Sequence, residues 1–178
     1  TDAGRRARLS EHGAHLAVDS KDPRWVEQVL EATGGKGVDL IVDQVSGGVA
    51  NQNLQATRVL GRIVNVGRLG GMKGEFDFDL HALRRISYIG VTFRTRSMDE
   101  IRDIFAKVKQ DIWPAVESGK LKLPIDRVFG FGDIAQAVDY MTANKHFGKI
   151  KTAESLFIVV PAIMPKRSPT IYHSDFPR

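Results

Sequence analysis

The sequence contains no cysteine among its 178 residues. That excludes disulfides and any cysteine-ligated zinc centre built from this chain alone. No apolar run is long enough to span a bilayer, and Thr1, Asp2 and the basic stretch after them do not make a signal peptide. A cytoplasmic protein that touches no membrane is the expectation. There is no Gly-x-Ser-x-Gly nucleophile elbow, and none of the five histidines has ligand spacing to another, so no metal site is expected. Asp39 and Asp43 lie four apart on what reads as a strand, hence on one face. No second acid is placed to complete a general acid–base pair. The formal net charge of +5 suits a phosphate-bearing ligand. Aromatics are not interleaved with the basic residues, so a nucleic-acid partner is not expected. Internal repeats and low-complexity tracts are also missing.

What the chain does have is alternation. Asp2 to His12 reads as a short basic helix stopped by Gly13, and His15 to Asp19 as a short strand. Ser20 to Pro23 starts a helix carrying Trp25, Val26, Val29 and Leu30, which Gly34 and Gly35 end. Val38 to Val45 is a near-continuous, β-branched run of the kind a strand covered on both faces needs. Ser46-Gly47-Gly48 turns the chain into a helix to about Leu60. A second buried strand, Gly61 to Gly67, and a glycine-rich loop follow. Ser87 to Phe93 is a further strand. A long helix from Ser97 to Ser118 carries an apolar stripe through Ile101, Ile104, Phe105, Val108 and Ile112, with Pro114 kinking or restarting its end. Leu121 to Phe131 is extended, Gly132-Asp133 caps a helix to about Asn144, and His146 to Ile150 turns into a last strand. The alternation implies an α/β fold with a parallel sheet and right-handed crossovers.

Three segments in this order, Gly34-Gly35-Lys36-Gly37-Val38-Asp39-Leu40-Ile41-Val42-Asp43, Gly61-Arg62-Ile63-Val64-Asn65-Val66-Gly67 and Phe147-Gly148-Lys149-Ile150, resemble the medium-chain dehydrogenase/reductase superfamily. Within it the chain is most similar to zinc-independent quinone reductases and their zinc-type alcohol dehydrogenase relatives. The resemblance covers residues 1 to 150 and implies a Rossmann-type doubly wound parallel sheet of spatial order 3-2-1-4-5-6. It places His15 to Asp19 as the third strand and the runs from Val38, Gly61 and Ser87 as the fourth to sixth. The first two strands and the glycine-rich phosphate turn are then truncated from the N-terminal side. No G-x-G-x-x-G opening a helix after a strand occurs in this sequence. Residues 1–120 would form a partial cofactor domain, 121–150 a segment returning toward a missing substrate domain, and 151–178 a divergent tail, poorly ordered from about Lys166.

The resemblance implies an NAD(P)H-dependent oxidoreductase, moving hydride between a nicotinamide and a carbonyl, alcohol, enone or quinone. NADP is the expected cofactor, with NAD as an alternative and no zinc. Arg5, with Arg6 beside it, falls where a guanidinium would pair with the 2′-phosphate. Val45 and Ser46, then Val66, Gly67 and Arg68, then Thr92, Phe93 and Arg94 end the three later strands, where the crevice of such sheets lies. For each the plain structural reading stands beside it: a solvated basic helix, turn glycines, a core phenylalanine. Asp43 could touch a ribose or stabilise its own turn. Substrate-binding and catalytic groups would belong to the missing domain, so the chain alone is expected to bind dinucleotide weakly or not at all and to lack turnover. The sixth strand, Ser87 to Phe93, could pair with its twin across a homodimer. The alternative is a non-catalytic α/β remnant serving as an interaction or dimerisation module.

Overall fold

The computed structural model describes residues 2–153 and 158–159. It divides into two units, Thr1–Pro124 and Ile125–Arg178. In the first, helix α1 (Ala3–Ala7) and a 3-10 turn (Arg8–His12) end at Gly13, whose φ of 88° suits a residue without Cβ. Helix α2 (Trp25–Ala32) leads to strand β1 (Val38–Asp43). A 3-10 turn (Gly47–Val49) and helix α3 (Ala50–Ala56) then lead to strand β2 (Thr57–Asn65), followed by helix α4 (Phe78–Arg84) and strand β3 (Ser87–Gly90). Helices α5 (Met98–Asp111) and α6 (Trp113–Glu117) complete the unit. The sheet is parallel, in order β1-β2-β3.

This is the expected α/β, Rossmann-type parallel sheet, holding the strands read as fourth, fifth and sixth. His15 to Asp19, read as a third strand, is not one. In the implied order its neighbour is the second strand, and no described strand precedes Val38 to pair with it. An apolar run with no partner for its backbone groups stays irregular. Smaller differences follow from the same accounting. Ser20 to Pro23 forms turns, and the helix opens at Trp25. The helix after Ser46 stops at Ala56, because Thr57 is already extended (ψ 135°), so β2 begins four residues before Gly61. Strand β3 ends at Gly90, short of Phe93. The long helix breaks at Ile112, where Pro114 sits in the first turn of α6. Helix α5 itself starts in a capping box: Ser97 accepts from the Glu100 N–H while the Glu100 carboxylate accepts from the Ser97 N–H.

Leu54, Ile63 and Ile86 form the buried core of this unit, with Ile41, Phe76, Leu80 and Tyr88 packed against it. The core therefore joins α3 and α4 to one face of all three strands. Because strand side chains alternate, Leu40 and Val42 point to the opposite face, where they are 52% and 58% exposed. In the second unit, strand β4 (Ile125–Phe129), helix α7 (Ile134–Thr142) and strand β5 (Lys149–Thr152) make a parallel crossover. Strand β6 (Ile158–Val159) pairs antiparallel with β5. Within it, Tyr140 donates to Asp126 at 2.7 Å and Arg127 stacks over the Tyr140 ring at 4.5 Å. Strand β5 carries on past Ile150 with Thr152 buried. The tail from Lys166 lies outside the described residues.

Two substitutions check this account. Leu54 is fully buried, so Leu54→Ala should lower unfolding free energy by about 3 kcal/mol in a urea titration. Leu60 is held at φ 63° with its side chain 62% exposed. Leu60→Gly should raise stability by about 1 kcal/mol by relieving that backbone.

Candidate functional site

The site is built where β1 and β2 end side by side. Asp43 is opposite Asn65 in the parallel register. Its carbonyl accepts from the Val66 and Gly67 N–H groups at 2.8 and 3.0 Å. Its carboxylate, 3% exposed, accepts from the Val45 and Ser46 N–H groups at 2.8 and 2.9 Å. One buried residue thus ties both post-strand loops together. Asp43 has the turn-stabilising role that its position at the strand end suggested.

Beyond Asp43 the two loops stay joined. Leu69 and Gly70 donate to the Gln44 and Val45 carbonyls at 3.2 and 2.7 Å, and Ser46 bridges to Gly71. Ser46 donates its hydroxyl proton to the Gly67 carbonyl at 2.7 Å and accepts from the Asn65 side-chain amide. A hydroxyl has one proton, so its 3.4 Å approach to the Asp43 carboxylate is not a second donated bond. Gly67 is required by close approach: a Cβ there would stand 2.5 Å from the Gln44 carbonyl oxygen.

These loops line a cavity of about 280 Å³. Ser46, Asn65 and Tyr88 form its floor, with Arg68, Lys73 and Glu75 at its rim. Burial, first, and the nearby Asp43 charge hold the Tyr88 phenol above its ordinary pKa of 10.0, partly offset by a hydrogen bond with Asn65. Tyr88 is therefore a neutral hydrogen-bonding group through the neutral pH range.

Of the residues singled out in the sequence, Val45, Ser46, Val66, Gly67 and Arg68 come together here, and Ser46 and Arg68 line the cavity itself. Thr92, Phe93 and Arg94 follow β3 in a turn in which the Thr92 hydroxyl accepts from the Arg94 N–H at 3.2 Å. Arg5 pairs with Asp2 and Arg6 with Asp19, the latter at 2.9 Å. Neither arginine lines the cavity. Asn65 and Tyr88 were not singled out. Nothing in the sequence marks them apart from the other polar residues of the same strands, Thr57, Arg58 and Arg62 in β2 and Ser87 in β3. Lys73 and Glu75, in the following loop, carried no signal either.

A parallel sheet whose loops meet in a polar crevice beyond the carboxyl ends of its strands is the architecture of doubly wound α/β domains. The family model described as zinc-binding dehydrogenase matches residues 12–150, and the chain belongs to that family, within the medium-chain dehydrogenase/reductase superfamily. An NAD-dependent alcohol dehydrogenase structure is 27% identical, with a TM-score of 0.67 over 85% of this chain and 41% of its own. The CurF ER cyclopropanase from the curacin A biosynthetic pathway is 28% identical, with a TM-score of 0.67 over 85% and 45%. The highly reducing polyketide synthase fogA of Aspergillus ruber is 26% identical over 84% of this chain and 6% of its own length. The phthioceranic/hydroxyphthioceranic acid synthase of Mycobacterium tuberculosis is 26% identical over 88% and 8%. The chain thus spans less than half of these structures and a small part of the synthases.

The alcohol dehydrogenase among these relatives is an NAD-dependent oxidoreductase. The described residues of this chain do not fit the zinc of the family description. The sequence has no cysteine, and no cluster of three or more His, Asp or Glu among the described residues could hold a metal ion. Among the described residues no helix is long and apolar enough to cross a membrane.

Gly67→Ala should cost about 2 kcal/mol, measured by denaturant unfolding, because its methyl would have to displace the Gln44 backbone. The raised Tyr88 pKa also has a sign. The folded chain holds that phenolic proton more tightly than the unfolded chain does. Its contribution to stability is complete below the ordinary tyrosine pKa and is lost as pH rises through the raised value. Tyr88→Phe should remove one late step from the alkaline tyrosinate absorbance titration.

Proposed function

We propose that the chain contributes the nicotinamide-side crevice of an NAD(P)H-dependent medium-chain oxidoreductase whose substrate is a carbonyl, alcohol, enone or quinone. The observation that carries this reading is the joined pair of post-strand loops, Val45-Ser46 and Val66-Gly67-Arg68, at the carboxyl ends of adjacent parallel strands. That is where dinucleotides lie on sheets of this type. The cavity fits the nicotinamide end in its polarity. The Asn65 amide and the neutral Tyr88 phenol offer hydrogen bonds, and Arg68 and Lys73 offer positive charge.

The bound nicotinamide would supply the hydride chemistry, and the residues of this chain would orient it. Val45 and Val66, each about two-fifths exposed, present apolar surface beside the polar floor. Thr92, Phe93 and Arg94 would close the side beyond β3. Arg5, with Arg6 as neighbour, would read the 2′-phosphate of NADP, exchanging the carboxylates of Asp2 and Asp19 for phosphate oxygens. NAD is the alternative cofactor. The substrate and the groups that act on it would reach the crevice from a further domain. The edge of β3 would pair with its twin in a homodimer, and the cytoplasm is the proposed location.

A second reading, a non-catalytic module that keeps only an interaction surface, is favoured by one feature. Among the described residues no Gly-x-Gly-x-x-Gly turn opens a helix after a strand to hold a pyrophosphate. Titration of the purified chain with NADPH and with NADH, followed by nicotinamide fluorescence, separates the two. The oxidoreductase reading expects weak, saturable binding that prefers NADPH and falls about tenfold in Arg5→Ala, as loss of a charge-assisted contact would give. A folded chain that binds neither nucleotide would support the second reading.

A further inference from the structure

Ser46 sits at φ 57° and ψ −148°. This region is essentially reserved for glycine, and a side chain there costs on the order of 1–3 kcal/mol. Glycine is not scarce nearby: Gly47 and Gly48 follow directly. The strained position nevertheless carries a serine, 7% exposed, and its hydroxyl is fully employed. It donates to the Gly67 carbonyl and accepts from the amide of Asn65, itself only 9% exposed. With Asn65 donating to the hydroxyl oxygen, its proton goes to the nearer acceptor, the Gly67 carbonyl at 2.7 Å on the loop that follows β2, while the Asp43 carboxylate stands farther off at 3.4 Å.

Resting on the cofactor reading above, we propose that Ser46 and Asn65 are positioning residues of the crevice. Asn65 aims the Ser46 hydroxyl, and Ser46 fixes the carbonyl of Gly67. The loops that follow β1 and β2 then keep one spacing before any cofactor enters. The backbone strain at Ser46 is what holding a hydroxyl at that point requires. The Asp43 carboxylate supplies the restraint, because it binds the Ser46 N–H and keeps the strained turn from relaxing. A preorganised crevice loses less freedom when the ligand is bound, which improves affinity without any new contact.

Two substitutions at one position separate this from a purely structural role. Ser46→Gly and Ser46→Ala both remove the hydroxyl, but only glycine relieves the backbone. The positioning role predicts that both variants bind NADPH about fivefold more weakly, the effect of one lost hydrogen-bonded link. Their melting temperatures should differ, with Ser46→Ala clearly lower and Ser46→Gly near wild type. Affinity then follows the hydroxyl while stability follows the strain. Asn65→Leu should weaken NADPH binding by a similar factor with Ser46 still in place.

If Ser46→Gly binds NADPH like wild type, or if affinity simply tracks melting temperature across the set, the positioning role is overturned. If the wild-type chain binds neither NADPH nor NADH, the cofactor reading itself fails and takes this inference with it. That outcome is seen in the first titration, before any variant is compared.

Discussion

A carboxylate buried at the end of a strand is costly unless backbone amides take the place of water around it. Asp43 meets that condition twice over. Its side chain binds the amides of Val45 and Ser46, and its carbonyl binds those of Val66 and Gly67. The first pair bends its own strand into a turn, and the second captures the strand beside it. Everything beyond the carboxyl edge of the sheet is laid out from this point. Ser46 is pinned into a conformation it would otherwise avoid, Gly67 is pressed so close to Gln44 that no side chain fits, and the two loops run on together as far as Gly71.

Below the knot, the sheet is held from one side. Leu54 of α3 packs with Ile63 of β2 and with Ile86, just ahead of β3, while Phe76 closes over Tyr88 edge-on with centroids 5.5 Å apart. Tyr88 belongs to both regions, since its ring packs against the core and its hydroxyl reaches the cavity. The packing that fixes the ring also desolvates the phenol and raises its pKa. The opposite face carries Leu40 and Val42 in the open.

The legible parts of the fold were those whose signal is local. The runs from Val38 and Gly61 are apolar and β-branched enough to read as buried strands, and Ser97 with Glu100 gives a cap that can be seen in the sequence. Helix α4 was not visible, because it has no clean stripe. Phe78 and Leu83 are about three-quarters exposed, and Leu80 joins the core. The segment from His15 to Asp19 has strand composition, but composition does not supply a partner, and pairing decides. The crevice was legible as a set of strand ends, which topology alone predicts. Its working detail was not. Nothing in Val45-Ser46-Gly47-Gly48 says that the serine rather than a glycine takes the glycine-like backbone. Asn65 and Tyr88 acquire their meaning from the parallel register that sets them beside Asp43 and Ile63.

The central claim is that the knotted strand ends at Asp43 form the mouth of a nicotinamide crevice. The most direct test is a residue-resolved map of backbone amide NMR shifts as NADPH is added to the chain. The account predicts that perturbations concentrate on Val45 to Gly47 and Val66 to Arg68, with smaller changes around Tyr88. Shifts gathered instead around Lys36, Arg58 and Arg84, which line a separate surface hollow, would contradict it, as would a map in which no amide moves.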